Sequence, residues 1–160
     1  AQATFGGIGE SCITAIEALN VMYDEDLIGN SERVGAHLLE RMKALQVKYP
    51  KLIKDVRGKG LMIGLEFQDF SQTLPALLRP MVAMLDDKLK GSLYGFVSEL
   101  LLRAYNVLVA FSEYNRNVIR LEPPLISTME QADEFVAALD KLLGRGVTAI
   151  VKDFIVSQVA

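Results

Sequence analysis

The 160-residue chain has one cysteine, one histidine and no block of basic residues, and each scarcity closes off a class of chemistry. Cys12 alone gives neither an internal disulfide framework nor a zinc site built from cysteines, which fits a reducing compartment and leads us to expect a cytoplasmic protein. A net charge of −3, a pI near 5.2 and the absence of Lys/Arg runs interleaved with aromatics argue against a nucleic-acid partner. The most apolar region, residues 74–108, is interrupted by Arg79, Pro80, Asp86, Asp87, Lys88 and Lys90. It therefore lacks the uninterrupted span of about 20 residues that a bilayer demands, and no membrane segment is expected. The chain opens with AQATFGG, with neither an initiator methionine nor a signal pattern, which reads as the start of a longer protein being absent.

What is abundant is apolar surface. Hydrophobic residues make up 51% of the chain and the mean hydropathy is +0.25, enough for one good core. A surplus of this size points to a partner, either the rest of the same chain or another subunit, or else to a merely well-filled core.

The periodicity predicts a helix over 10–22, carried by Ile13, Ile16, Leu19 and Val21 after the glycines Gly6, Gly7 and Gly9. Asp24, Glu25 and Asp26 read as the cap and first turn of a second, longer helix from Leu27 to about Tyr49, stopped by Pro50. Residues 52–56 and 61–67 read as two strands joined by Arg57, Gly58, Lys59 and Gly60. One or two helices are expected over 75–105, with a break near Lys90 and Gly91. A second strand pair is expected at 107–111 and 117–121. Thr128, Glu130 and Gln131 supply a helix start, Gly144 its stop, and residues 147–159 form one more helix. Strand pairs flanked by helices, rather than strict alternation, favour an α+β layer: a small antiparallel or mixed sheet with helices on one face.

Few side chains suggest chemistry on their own. His37 lies mid-helix with no nucleophile or carboxylate tied to it by spacing, which makes it a partly buried or surface histidine. Cys12 is read as packing on its helix. The DVRGKG stretch could be a phosphate nest, but it lacks the Walker pattern, and a turn with unusual backbone angles explains it better. ATFGG before a helix would let an anion approach closely, or mark a flexible lead-in. No metal cluster stands out. Arg120, inside VIRLEPPL, poses the sharper question, because a guanidinium is costly to desolvate unless a carboxylate meets it. It either pairs locally with Glu122, two residues on along one strand face, or waits for an acidic ligand.

Three stretches in fixed order, TFGG before a helix, DVRGKGLMIGLEF, and VIRLEPPLISTMEQADEFVAALDKLL, resemble the C-terminal portion of class III aminotransferases. The likeness runs from Thr4 to about Leu143, and IRLEPPL is nearest the putrescine and ω-amino-acid branch. The resemblance implies the small domain of a fold type I pyridoxal-phosphate enzyme. It implies that Thr4 binds the cofactor phosphate across a homodimer interface, and that Arg120 pairs with a substrate carboxylate or with a glutamate of the large domain. The Schiff-base lysine, the aspartate on the pyridine nitrogen and the stacking aromatic belong to the family's N-terminal portion, outside these 160 residues. No catalytic residue is therefore assigned here, and the chain alone is expected to be inactive.

On this reading residues 1–26 link from the missing large domain, 27–146 form the small domain and 147–160 a helical tail. The whole protein would move an amino group from an amine or ω-amino acid, diamines included, to a keto acid. Two departures accompany the likeness: Ile8 and Gly9 stand where relatives usually have Asn-Pro, and residues 70–102 form a longer connection than most relatives have, with no assigned role. The alternatives are a free-standing interaction or regulatory domain derived from the small domain, with Arg120 in an internal ion pair, and a binding module for small carboxylates.

Overall fold

The computed structural model describes residues 7–68, 93–111, 114–115 and 117–157. In chain order these form α1 (Gly9–Asp24), α2 (Leu27–Lys48), β1 (Ile53–Lys59), β2 (Met62–Phe67), α3 (Leu93–Tyr105), β3 (Ala110–Phe111), β4 (Val118–Leu121), α4 (Met129–Leu143) and α5 (Gly146–Ser157). The expected Thr4 site, the break near Lys90 and Gly91, and most of residues 70–102 lie outside the described residues.

The strands form one antiparallel sheet in the order β1-β2-β4-β3. Alternation along the strands, shifted by a bulge in β1, sends Ile53, Val56, Ile63, Leu65, Phe67, Ile119 and Leu121 into the core, where α2 packs on β1 and β2 and α3 on β4. Val34, Leu38, Met42 and Leu45 form the buried stripe of α2, and Val136, Leu139, Leu142 and Leu143 that of α4. Phe96, Val97, Leu100 and Leu101 of α3 complete the core against Ile150 and Val151 of α5. The α+β layer with helices on one face is thus what the chain builds.

Where the elements differ from the sequence expectation, the causes are local. Asp24 and Glu25 end α1 rather than begin α2, and Asp26, at the cap position, has a left-handed backbone (φ 47°) and makes no cap hydrogen bond. Its carboxylate turns instead to Arg33 at 2.9 Å, whose guanidinium lowers the acid's pKa. β1 runs on through Arg57, Gly58 and Lys59, so the connection shrinks to a two-residue turn at Gly60 and Leu61. Gly60 there has φ +54°, the positive angle a two-residue hairpin turn needs. β3 begins at Ala110 instead of 107, after an irregular stretch in which Asn106 has φ 55°. Gly144 caps α4 in the right-handed rather than the left-handed region. Cys12, expected to pack, is exposed, because not one of the sixteen residues of α1 is buried.

Candidate functional site

The face of the sheet away from α2 and α3 carries charge. Register places Arg57 opposite Gly64, Gly64 opposite Arg120, and Arg120 opposite Ala110, so these four residues form one row across the strands. Arg120 is on this face because its neighbours Ile119 and Leu121 are committed to the core.

At one end of the face Glu66 is 8% exposed, yet it meets both Lys54 (2.8 Å) and Arg57 (2.7 Å). A bulge between Ile53 and Asp55 lets Lys54 reach it. Lys54, and then Arg57, hold its carboxyl below the usual range against the opposing cost of burial. Arg57 Nη1 also donates to Asp55 at 2.6 Å, so that nitrogen already serves two carboxylates.

The other end is looser. Arg120 donates from Nη2 to Glu122 Oε2 at 2.7 Å, with 48% of the arginine side chain and 44% of the glutamate side chain in water. This is the local pair that the spacing allowed. Being exposed, it contributes about 0–1 kcal/mol and does not commit the guanidinium. Arg120 and Glu122 stand at the rim of a groove whose walls include Tyr105, Pro123, Ile126 and Phe135.

The segment after β4 is held from α2. Asn30 Nδ2 donates to the carbonyls of Leu125 (2.7 Å) and Ser127 (3.0 Å), and Thr128 then opens α4 with a reciprocal capping box to Gln131. These contacts tie the segment that follows Glu122 to α2.

A family model for aminotransferase class-III matches residues 2–143. The chain belongs to the class III aminotransferases. An amine transaminase from an uncultivated Pseudomonas species, solved in its PLP-bound form, is similar at 33% identity and a TM-score of 0.63, covering 88% of this chain and 28% of that one. An ornithine aminotransferase from Plasmodium yoelii is 31% identical with a TM-score of 0.56, covering 87% of this chain and 28% of that one. A lysine aminotransferase from M. tuberculosis, at 21% identity and a TM-score of 0.67, shares the fold over 90% of this chain and 28% of its own. This aminotransferase chain thus spans less than a third of the solved structures it matches.

Among the expected site residues of this class III chain, Arg120 is placed as described, and Thr4 lies outside the described residues. One association escaped the sequence. His37 Nε2 lies 3.0 Å from Asp133 Oδ1, which also accepts from Arg41 Nε at 3.1 Å, a clasp between α2 and α4. His37 and Asp133 are 96 residues apart, so no local spacing could signal it. Among the described residues no group of His, Cys, Asp and Glu could hold a metal ion, and no helix is long and apolar enough to cross a membrane.

Proposed function

We propose that this chain is the small-domain portion of a class III aminotransferase that moves an amino group from an amine or ω-amino acid, diamines included, to a keto acid with pyridoxal phosphate. It is inactive by itself. The observation that carries the reading is α1: Ile13, Ile16, Leu19 and Tyr23 are all more than half exposed on a helix with no buried residue. Apolar surface of that extent on one helix calls for a cover. A large domain preceding residue 1, and the second subunit of a homodimer, would supply it, with 1–26 as the link, 27–146 as the small domain and 147–160 as the tail. The single cysteine supports a cytoplasmic setting.

The described residues fit the cofactor at one place. The start of α1 has no side-chain cap from Ile8, and a Cβ added to Gly7 or Gly9 would meet nothing within 4 Å, so a phosphate could approach the first-turn amides. Thr4 is assigned a phosphate contact across the homodimer interface, as the family resemblance implies. Bound pyridoxal phosphate supplies the electron sink. Arg120 orients the substrate by gripping its carboxylate through two parallel N–H donors, which sets the end presented to the cofactor.

The test is direct. The full-length protein with pyridoxal phosphate is expected to transaminate an amine with a keto acid, and the 160-residue chain alone to show no turnover. Cys12 is expected to react freely with a thiol reagent in the chain alone and to be protected in the full-length protein. Turnover by the chain alone, or none by the full-length protein, overturns the reading. The observed pair of Arg120 and Glu122 favours a second reading, a free-standing interaction domain in which that pair is purely internal. It predicts a gene that starts near residue 1 and no transamination.

A further inference from the structure

α3 ends in a left-handed turn. The Asn106 amide donates to the Leu102 carbonyl and the Val107 amide to the Leu101 carbonyl, both at 3.1 Å, while Asn106 itself has φ 55°. This is the paired hydrogen-bond pattern of a Schellman ending, with asparagine in the left-handed position. Asparagine tolerates that conformation, whereas a β-branched residue is strained in it. Val107 then packs against the core to which Leu101 belongs, the apolar contact that accompanies the motif.

That ending sets one wall of the groove at whose rim Arg120 and Glu122 stand. All residues from Tyr105 to Ala110 line it. Only Val107, Leu108 and Val109 separate the left-handed turn from Ala110, which β4 holds opposite Arg120. A stretch so short, fixed at both ends, takes its course from its two anchors. Behind α3 stands α5, past residue 143 where the family match ends. α5 packs on α3, with Ile150 and Val151 of the one and Phe96, Val97 and Leu101 of the other fully buried. An ion pair between Arg145 and Asp153 ties the turn before α5 to the helix itself.

We propose that Asn106 is a positioning residue for this groove, and that α5, braced on α3, sets the same wall from beyond the family-matched residues. The inference rests on the functional reading in which Arg120, at the rim, faces the substrate. Close-packed interiors transmit displacement rather than absorb it, so a change at the α3–α5 contact shifts α3, its left-handed ending and then the wall from Val107 to Ala110. Asn106 acts through the turn its backbone holds, not through its side chain.

The test uses the full-length protein loaded with pyridoxal phosphate, with butylamine and pyruvate as probes. Asn106→Gly keeps the left-handed turn without the side chain and is expected to leave KM for butylamine unchanged. Asn106→Val strains the turn, and KM is expected to rise by about 2- to 30-fold with kcat preserved, the mark of lost binding common to ground and transition states. Ile150→Ala, a milder change at the α3–α5 contact, is expected to move KM in the same direction. In both of these variants amide exchange should quicken in residues 107–110 ahead of β1 and β2. A raised KM in Asn106→Gly, a KM unmoved in Asn106→Val or Ile150→Ala whatever the melting temperature, or a fall in kcat alone overturns the inference. Normal transamination with an unmoved KM defeats this inference alone. Absence of transamination by the full-length protein defeats the functional reading, and the exchange pattern then still decides whether Asn106 and α5 set the wall.

Discussion

Gly35 of α2 and Gly60 of the β1–β2 turn meet backbone to backbone, so that a Cβ on Gly35 would lie 2.1 Å from the Gly60 carbonyl oxygen. The neighbouring contacts repeat the theme. A Cβ on Gly60 would meet Ser31 Oγ at 2.7 Å, and that hydroxyl accepts from the Leu61 amide at 3.3 Å. The long helix therefore docks on the hairpin that carries Gly64 and Glu66 through a contact only glycine permits.

Gly35→Ala is accordingly expected to destabilise the protein by about 1–3 kcal/mol, the usual cost of overpacking, because rigid backbone rather than a flexible side-chain end blocks the methyl group. Gly64→Ala is expected to be neutral or to stabilise by up to about 1 kcal/mol, since the space exists and strand glycine is entropically costly. Denaturant unfolding of both variants checks the contrast. Equal losses would contradict the geometry.

Acid should loosen the two carboxylate clusters. Lys54 and Arg57 lower the Glu66 pKa, and Lys48 followed by Tyr49 lowers that of Asp140, which accepts from Lys48 Nζ at 2.7 Å and from Tyr49 Oη at 2.6 Å. A folded-state pKa below the unfolded value means stability that is fully present above the unfolded pKa and is lost as pH falls through the folded one. Melting temperature is therefore expected to hold from neutral pH to about 5 and to fall below about 4, near and under the unperturbed carboxylate values. In a Glu66→Gln variant the acid slope should be shallower. At neutral pH that variant is expected to lose about 1–2 kcal/mol, as a buried, charge-assisted acceptor is removed.

Asn30→Ala removes both hydrogen bonds to the segment after β4, and a loss of about 1–2 kcal/mol is expected. Amide exchange should quicken in residues 125–128 ahead of the rest of the sheet. An unchanged exchange rate there would show that the segment is held by other contacts.

Thr128→Ala abolishes the capping box with Gln131 and is expected to cost about 1 kcal/mol. Thr128→Ser should recover most of it, as measured by thermal unfolding.

Much of the fold was legible along the chain because its signals are local. The 3.6-residue stripe Val34, Leu38, Met42, Leu45 and the Thr128/Gln131 pair announced α2 and the start of α4, and structure and sequence agree there within a residue or two. The alternation Ile119, Arg120, Leu121 likewise placed Arg120 on the face opposite its two immediate apolar neighbours. Reading Asp24, Glu25 and Asp26 as a cap failed because Arg33, one turn into α2, competes for Asp26. The hairpin turn came out shorter because Gly58 tolerates strand pairing so close to Met62 that a Cβ would lie 2.3 Å from its carbonyl oxygen.

By itself the sequence determined most of the described elements, the α+β class, the core-facing stripes of α2 and α4, and the motifs by which the chain resembles its family, since these rest on periodicity and on residues a few positions apart. Only the tertiary structure decided that Gly64 lies beside Arg120, that Asp133 comes to His37 and Arg41, and that α1 keeps its apolar residues in water. Those relationships depend on strand register and on helices meeting across nearly a hundred residues of chain, and spacing along a polypeptide carries no record of either.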